Sequence, residues 1–159
     1  MSKAYILLGA NLGNPVKNLE LATQYIHQFI GSVERVSSLY QTAAWGHTAQ
    51  PDFVNQVIIV QTDLSPLQTL QACLEIERKM GRIRTIKNAA RNIDIDILFF
   101  NKDILQSEAL CLPHPAMQYR RFVLVPLHEL SPLFKHPILH KTIHQLLKEC
   151  EDTLDVKKI

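Results

Sequence analysis

The sequence predicts an α+β fold, with a ferredoxin-like β-α-β-β-α-β core and an added C-terminal hairpin and helices. Three observations predict it. Strand-like apolar runs alternate with stretches of helical spacing, two helical stretches begin at a proline and end at a glycine, and no repeat or low-complexity linker interrupts the order. We therefore expect an antiparallel sheet that packs its apolar face on two helices.

The N-terminal half predicts three strands and one helix. The first strand is rich in apolar residues and ends in a turn that contains two glycines. The helix carries apolar residues at helical spacing, namely Leu19, Ala22, Ile26 and Phe29, and stops at Gly31. The predicted bounds are Lys3 to Gly9, Pro15 to Ile30, Val33 to Thr42 and Phe53 to Thr62, with a loop from Ala43 to Asp52 between the last two strands.

The C-terminal half predicts a second helix, a fourth strand and three additions. The second helix opens at Ser65-Pro66 and ends at Gly81. Its predicted inward residues are Leu67, Leu70, Leu74, Ile76 and Met80. The elements after it are a strand at Asn92 to Leu98, a hairpin from Phe99 to Leu112, a helix from Arg121 to Leu130 and a helix from Thr142 to Cys150.

Composition indicates a single domain that spans residues 1–159. Apolar residues make up 47% and charged residues 20%, which are ordinary values for a globular chain with a core. A net charge of +2 is too small to indicate a nucleic-acid or membrane partner. Cys73, Cys111 and Cys150 lack metal-like spacing, so we expect free thiols in a reducing compartment. We expect a cytoplasmic monomer without a signal peptide or membrane span.

The fourth strand carries two carboxylates on one side. Successive strand residues point to opposite faces, so Asp94 and Asp96 project together while Ile93, Ile95 and Ile97 project the other way. Two like charges about 6.5 Å apart repel each other unless a cation lies between them. Hard oxygen ligands at this spacing suit a divalent metal. Taken alone, however, an acid pair on a strand is more often a solvated face.

A basic cluster directly precedes this strand. It contains Arg82, Arg84, Lys87 and Arg91. Guanidinium groups bind two phosphate oxygens at once, so bases beside paired acids are what a metal-bound polyphosphate site requires. For Arg82, a purely structural interpretation is nearly as good: a solvated cation at the end of the second helix, where it interacts favourably with the helix dipole.

The loop around Trp45 has the chemistry of a site for a flat ring. Trp45 and Phe53 offer aromatic faces, and Thr42 and Asn55 offer polar groups that donate and accept in one plane. Phe122 is a candidate for a further ring. Phe53 and Phe122 are also ordinary core residues by type, so each alone is weak support.

Several sequence blocks, in this order and spacing, resemble the 6-hydroxymethyl-7,8-dihydropterin pyrophosphokinase family of folate biosynthesis over nearly the whole chain. The blocks are Gly9-Ala10-Asn11-Leu12-Gly13, Tyr40-Gln41-Thr42, Gln50-Pro51-Asp52-Phe53-Val54-Asn55, Ile76 to Arg84, Arg91 to Asp96, and Leu112 to Met117 followed by Arg120 to Leu124. The resemblance implies transfer of the terminal diphosphate of ATP to the hydroxymethyl oxygen of 6-hydroxymethyl-7,8-dihydropterin, which yields AMP. It also implies two Mg²⁺ ions.

The resemblance assigns roles to residues at matching positions. Asp94 and Asp96 match metal ligands and, with Arg82, Arg84 and Arg91, form the implied catalytic set. The implied nucleotide contacts are Glu77, Arg84, Arg91, Ile97, His114 and Arg120. The implied pterin contacts are Thr42, Ala43, Ala44, Trp45, Phe53, Asn55 and Phe122.

Two other functions fit parts of the sequence. A nucleic-acid-binding ferredoxin-like module needs aromatic residues on an exposed sheet face, and the third strand lacks them at Val57 to Val60. A two-carboxylate hydrolase has acids at roughly this spacing. The nearby arginines argue against it, because they would lower the pKa of both acids and leave no proton donor.

Two residue sets also have plain structural interpretations. Glu77 fits a solvated acid on a helix surface. His136, His140 and His144 recur at helical spacing and invite a zinc site, but Pro137 interrupts any helix there, so we expect a surface coincidence.

Overall fold

The computed structural model describes residues 1–43, 51–81 and 92–159, and all structural statements below concern these residues. The strands are β1 (Ser2–Ala10), β2 (Gly31–Val36), β3 (Tyr40–Thr42), β4 (Phe53–Thr62), β5 (Asp94–Phe100), β6 (Leu105–Gln106), β7 (Cys111–Leu112) and β8 (Lys157–Lys158). The helices are α1 (Pro15–Phe29), α2 (Pro66–Lys79), α3 (Arg121–Leu130) and α4 (Ile143–Glu149).

An antiparallel sheet organises these elements. Its strand order is β5-β1-β4-β3-β8, and β2 also pairs with β4. The centre is the long β1/β4 ladder, which runs from Ser2 opposite Thr62 to Ala10 opposite Val54. On its other side β1 pairs with β5, where Leu7 faces Asp96 and Gly9 faces Asp94. The predicted α+β class, with an antiparallel sheet, is confirmed.

Helices cover both faces of the sheet. On one face α1 and α2 bury residues such as Leu19, Ile26 and Ile76 against the strands. On the other face α3 and α4 bury residues such as Leu124 and Ile143. Each central strand therefore has apolar residues on both sides, which explains why β1 is buried from Ala4 to Ala10 without alternation.

Local sequence signals fix where the helices begin. The Asn14 side chain accepts a hydrogen bond from the backbone N–H of Lys17 at 3.2 Å, and Pro15 occupies the first turn of α1. At α2, Ser65 and Gln68 exchange side-chain and backbone hydrogen bonds in a capping box. These caps satisfy N–H groups that the first helical turn leaves without intrahelical partners.

Two predicted inward positions are wrong. Leu67 is 46% exposed and Leu74 is 40% exposed. Phe29, which has the helical spacing of the buried residues of α1, is also 46% exposed. In α2 the buried stripe instead contains Cys73 and Ile76. That stripe is rotated away from Leu67 and Leu74, so the leucines lie on an adjoining face of the helix.

The predicted second strand, Val33 to Thr42, is divided by a break at Ser37. The Ser37 N–H donates to the carbonyl oxygen of Val57 at 2.9 Å, and its hydroxyl accepts from the Val57 N–H at 3.0 Å. The side chain thus takes the place of a backbone group in the ladder. As a result β2 and β3 pair separately with β4.

The segments after β5 differ from the predicted hairpin. Phe99 and Phe100 continue β5, and Phe99 is opposite Tyr5, so the predicted hairpin start at Phe99 is wrong. Two short antiparallel strands, β6 and β7, follow. The sequence did not predict β8, because two lysines have no strand periodicity. In the described part of the chain, no helix combines the length and apolarity needed to cross a membrane.

Candidate active site

The two carboxylates of β5 project from the sheet on the face that carries α3. Asp94 and Asp96 are partly exposed, whereas Ile95 and Ile97 are 3% and 4% exposed in the core on the opposite face. The predicted alternation of acids and isoleucines is therefore confirmed. Asp94, Gly9 and Asn55 lie in one row across three strands, because Gly9 is paired with both of the other residues.

A first pocket opens above this row. Its empty volume is about 630 Å³, with the open solvent at its mouth included. It brings both carboxylates together with five of the seven residues that the resemblance assigned to the pterin. The lining residues are Leu7, Gly9, Thr42, Ala43, Phe53, Asn55, Asp94, Asp96, Arg120 and Phe122. The sequence did not single out Leu7 or assign a site role to Gly9.

Asn55 is held in a fixed orientation at the floor of the first pocket. It is 3% exposed, and its amide Nδ2 donates to Thr42 Oγ1 at 3.1 Å. A Cβ atom on Gly9 would lie 2.8 Å from Asn55 Oδ1, closer than such atoms approach in proteins. Gly9 is thus required by close approach to a side chain, and a glycine inside a strand was the signal for it.

A second pocket lies on the other side of Asp96. Its walls are mostly apolar, and they include Leu70 and Leu74 of α2, two residues predicted to face the core. The lining residues are Leu70, Leu74, Ile95, Asp96, Ile97, Ala109, Leu110, Cys111, His114 and Pro115. Because Asp96 lines both pockets, the two cavities meet at this residue.

His114 is held rigidly in the second pocket. Its backbone N–H donates to the carbonyl oxygen of Leu98 at 2.9 Å, and its Nδ1 accepts from the Ala116 N–H at 3.2 Å. Burial lowers the pKa of His114, and the charge of Arg120 lowers it further, whereas Asp94 opposes both effects. A neutral imidazole is therefore favoured at neutral pH.

Two residues that the resemblance assigned to the nucleotide are not among the described residues that line the second pocket. Arg120 lines the first pocket, with its guanidinium carbon 5.8 Å from the ring centroid of Phe122. Glu77 is on the described lining of neither pocket. It is 1% exposed, and its Oε2 accepts the Ile95 N–H at 2.7 Å. The interpretation of Glu77 as a solvated acid is wrong, because this carboxylate is buried and ties α2 to the backbone of β5.

Five predicted site residues lie outside the described residues. They are Ala44, Trp45, Arg82, Arg84 and Arg91. Their assigned roles stay predictions.

The histidines near the C-terminus do not form the zinc site that their spacing invites. His136 is 4% exposed, and its Nδ1 accepts from the N–H groups of Ile138 and Leu139. It is thus a turn residue inside the fold, and its expected surface position is wrong. His144 pairs with His128 at 2.9 Å between ring nitrogens. Over residues 1–43, 51–81 and 92–159, no three metal-ligating side chains converge.

A family model decides the classification of the chain. The model for 7,8-dihydro-6-hydroxymethylpterin-pyrophosphokinase (HPPK) matches residues 5–132. The chain belongs to the HPPK family. The matched segment contains every described residue that lines the first and second pockets.

Relatives of similar length support this HPPK assignment. A protein of Haemophilus influenzae is 38% identical over 99% of this chain and 98% of its own length. One of Synechocystis is 42% identical over 94% of this chain and 77% of its own. Both are named 2-amino-4-hydroxy-6-hydroxymethyldihydropteridine pyrophosphokinase. A folic acid synthesis protein of Schizosaccharomyces pombe is 39% identical, but the chain spans only 20% of it.

Solved structures show the same fold. An HPPK-DHPS protein of Plasmodium falciparum superposes with a TM-score of 0.77 over 93% of this chain, at 20% sequence identity. The chain corresponds to 45% of that longer protein. At this identity the likeness concerns the fold, in which the mixed helices and antiparallel sheet match HPPK domains.

Proposed function

We propose that the protein transfers the terminal diphosphate of ATP to the hydroxymethyl oxygen of 6-hydroxymethyl-7,8-dihydropterin, in folate biosynthesis. One observation carries the proposal: a pocket with ring-binding chemistry and a mostly apolar pocket meet at Asp96. A reaction that joins a ring substrate to a nucleotide phosphate needs two such pockets with a common boundary. The names of the full-length relatives describe this activity.

The first pocket has the groups that a pterin requires. Phe53 and Phe122 supply aromatic faces for the ring. The Asn55 amide donates a hydrogen bond from Nδ2 to Thr42, and this fixes the orientation of the buried side chain. Its Oδ1 is therefore oriented to accept a hydrogen bond from the ring edge. Trp45 and Ala44 complete the proposed set of pterin contacts.

The second pocket suits the nucleotide. Leu70, Leu74 and Ile97 offer apolar contact for a base. The neutral ring of His114 already accepts at Nδ1 from the Ala116 N–H, so its Nε2–H is the group that can donate a hydrogen bond to the nucleotide. We assign Arg82, Arg84 and Arg91 to the triphosphate, because a planar guanidinium binds two phosphate oxygens. Arg120 lines the first pocket together with Asp94 and Asp96.

The proposed reaction needs positioning more than a strong base. The hydroxymethyl oxygen attacks the β-phosphorus of ATP, the bond from that phosphorus to the α-phosphate oxygen breaks, and AMP leaves. The hydroxyl proton passes to solvent. The protein holds the ring on Asn55 and the nucleotide in the second pocket, so that the reacting atoms lie in line near Asp96.

Asp94 and Asp96 fit two Mg²⁺ ions as cofactors. Both are hard carboxylate ligands on one strand face, and Mg²⁺ usually takes only one or two carboxylates, with phosphate oxygens and waters completing its shell. When bound, the ions supply positive charge that offsets the charge of the triphosphate.

The remaining sequence predictions join the proposal. We take residues 1–159 as one monomeric, cytoplasmic domain that needs no nucleic acid or membrane partner. A ferredoxin-like core is supported by the two βαβ halves, in which β1 and β4 lie side by side at the centre of the sheet.

The decisive experiment separates diphosphate from phosphate transfer. The purified protein is mixed with ATP, Mg²⁺ and 6-hydroxymethyl-7,8-dihydropterin, and the nucleotide products are separated by chromatography. We expect AMP and the pterin diphosphate in equal amounts. Formation of ADP in place of AMP, or formation of neither nucleotide, would refute the proposed activity.

A further inference from the structure

The first pocket has two walls that come from different parts of the chain. One wall belongs to β3 and the residue after it, which supply Thr42 and Ala43. The other belongs to the start of α3, which supplies Phe122. β3 is only three residues long, so its ladder with β4 alone gives it few hydrogen bonds. The distance between the walls therefore depends on what ties β3 to α3.

Glu129 ties the two walls together. It lies on α3, two helical turns after Phe122, or about 10.5 Å along the axis. Its carboxylate accepts the Tyr40 hydroxyl hydrogen bond at 2.5 Å. It also accepts hydrogen bonds from the backbone N–H of Ser38, at 3.0 and 3.2 Å to its two oxygens, and from the Ser38 hydroxyl at 3.1 Å. One side chain thus holds both the start of β3 and the connection that leads into it.

The contacts of Glu129 with Tyr40 and Ser38, which we call the clamp, reach the floor of the first pocket through Tyr40. Tyr40 is directly opposite Asn55 in the β3/β4 ladder, and paired residues of an antiparallel ladder point to the same face. The Tyr40 side chain therefore lies in the same row as Asn55 and Gly9. It is 6% exposed, so its hydroxyl needs an internal partner, which Glu129 provides.

The electrostatics agree with a persistent contact. Burial alone would raise the pKa of Glu129, but the hydrogen bonds from Tyr40 and Ser38, together with the charge of Lys158, hold it below its ordinary value. Burial and the hydrogen bond to Glu129 raise the pKa of Tyr40 to about 12. Lys158 belongs to β8, which pairs with β3 at Tyr40 and Gln41, so the C-terminal strand supports the clamp from the far edge.

We propose that Glu129 is a positioning residue for the ring substrate: through Tyr40 and Ser38 it fixes β3 against α3 and so sets the geometry of Thr42 and Asn55. The inference rests on the proposed function, since it concerns the pterin side of that reaction. Glu129 itself lines neither pocket, so it acts through Tyr40 and Ser38 and not by touching the substrate.

The test compares four variants with the wild-type protein, of which Glu129→Gln is the conservative one. Tyr40→Phe removes one hydroxyl oxygen and keeps the buried ring, and Glu129→Ala removes the whole acceptor. Glu149→Ala is the matched control, because Glu149 is an exposed carboxylate in α4 that pairs with Lys141 at 2.9 Å, away from both pockets. KM is measured separately for the pterin and for ATP, and thermal melts follow the fold.

We expect Tyr40→Phe and Glu129→Ala to raise the KM for the pterin about threefold to tenfold, the effect of one or two lost hydrogen bonds. The KM for ATP should change less than about twofold, and Glu149→Ala should match the wild type. Glu129→Gln should fall between Glu129→Ala and the wild type, because its amide oxygen still accepts from Tyr40.

A purely structural role predicts another pattern. Equal increases in both KM values, or no increase in either variant when the melting temperature is unchanged, would overturn the inference. Failure of the wild-type protein to release AMP would instead reject the proposed function, so the two failures are distinguishable. A fluorescence titration of the pterin alone gives the binding constant without turnover.

Discussion

At the scale of single residues, three positions in one row of the sheet define the site. Asp94 and Gly9 are neighbours across the β5/β1 ladder, and Gly9 is also paired with Asn55. A carboxylate, a residue without a side chain and a buried amide thus follow one another across three strands. The row places the carboxylate of Asp94 and the amide of Asn55 on one surface, with the space above Gly9 between them.

The first residue prediction concerns Asp96. Replacement of Asp96 by Ala should lower kcat at least about a thousandfold, because it removes a proposed metal ligand at the boundary of the two pockets. The fold should persist, since Asp96 is a partly exposed residue at the pocket boundary. Turnover is measured as AMP release and the fold by circular dichroism.

The matched control for Asp96 is Asp103→Ala. Asp103 is an exposed acid in the turn after β5, and it should retain near-normal turnover. Near-normal activity of a folded Asp96→Ala variant would contradict the metal role.

The second residue prediction concerns Gly9. Replacement by Ala should weaken pterin binding about tenfold, because the new Cβ would lie 2.8 Å from Asn55 Oδ1 and push that amide from its place. Binding is measured by fluorescence titration. In an Asn55→Ala background the same substitution should have little further effect, since the atom that it displaces is gone. Equal losses in both backgrounds would show that Gly9 acts independently of Asn55.

At the scale of elements, side-chain hydrogen bonds decide where strands end and how helices are attached. The Ser37 hydroxyl interrupts what the sequence predicts as one strand and creates the separate β3 that carries Thr42. The Glu77 carboxylate accepts a backbone N–H of β5 and fixes α2 beside the strand that carries both aspartates. The spacing of apolar residues predicts neither contact. It assigns Ser37 to the middle of a strand and Glu77 to a helix surface, and it gives no information about the hydrogen bonds of these polar side chains.

The prediction at this scale concerns Glu77. Glu77→Ala should lower the free energy of unfolding by about 1 to 3 kcal/mol, because it leaves the Ile95 N–H buried without its acceptor. Urea denaturation measures this change. The control is Glu75→Ala on the same helix, where an exposed ion pair with Arg78 is lost and the expected change is about 0 to 1 kcal/mol. An equal loss of stability in both variants would show that the hydrogen bond between Glu77 and the Ile95 N–H makes no special contribution.

At the scale of the whole molecule, helices on both faces of the sheet make two cores and leave the site at one end of α3. The core below the sheet holds α1 and α2, and the core above it holds α3 and α4. The two pockets lie on either side of Asp96, so occupation of both should tighten elements from both cores. This arrangement predicts that ligands stabilise the entire fold.

The prediction for the whole molecule is a metal-dependent thermal shift. A non-hydrolysable ATP analogue with Mg²⁺, each near a hundred times its dissociation constant, should raise the melting temperature by about 5 to 10 °C. Chelation of the metal with EDTA should remove most of this shift. The Asp94→Ala/Asp96→Ala double variant should show only a small shift, both with Mg²⁺ and after its removal by EDTA. A full shift in the double variant would place the metal elsewhere.

Sequence patterns predicted much of the fold and part of the site. Periodicity and caps located α1, α2 and α3 almost to the residue, because Pro15, Ser65 and the apolar stripes act locally. Alternation placed Asp94 and Asp96 on one face. Periodicity could not separate Leu67 and Leu74 from the core stripe, because both faces of α2 carry apolar residues and only packing distinguishes them.

The sequence by itself determined the α+β class, the acid pair and, through ordered motifs, the family. Such features depend on residues close together in the chain, where spacing alone fixes which side chains share a face. The tertiary structure decided that Asp96 separates two pockets, that Gly9 gives Asn55 its space, and that Glu129 joins α3 to β3. These contacts connect residues that are up to 91 positions apart. Strand register and helix packing bring them together, and no local pattern encodes either one.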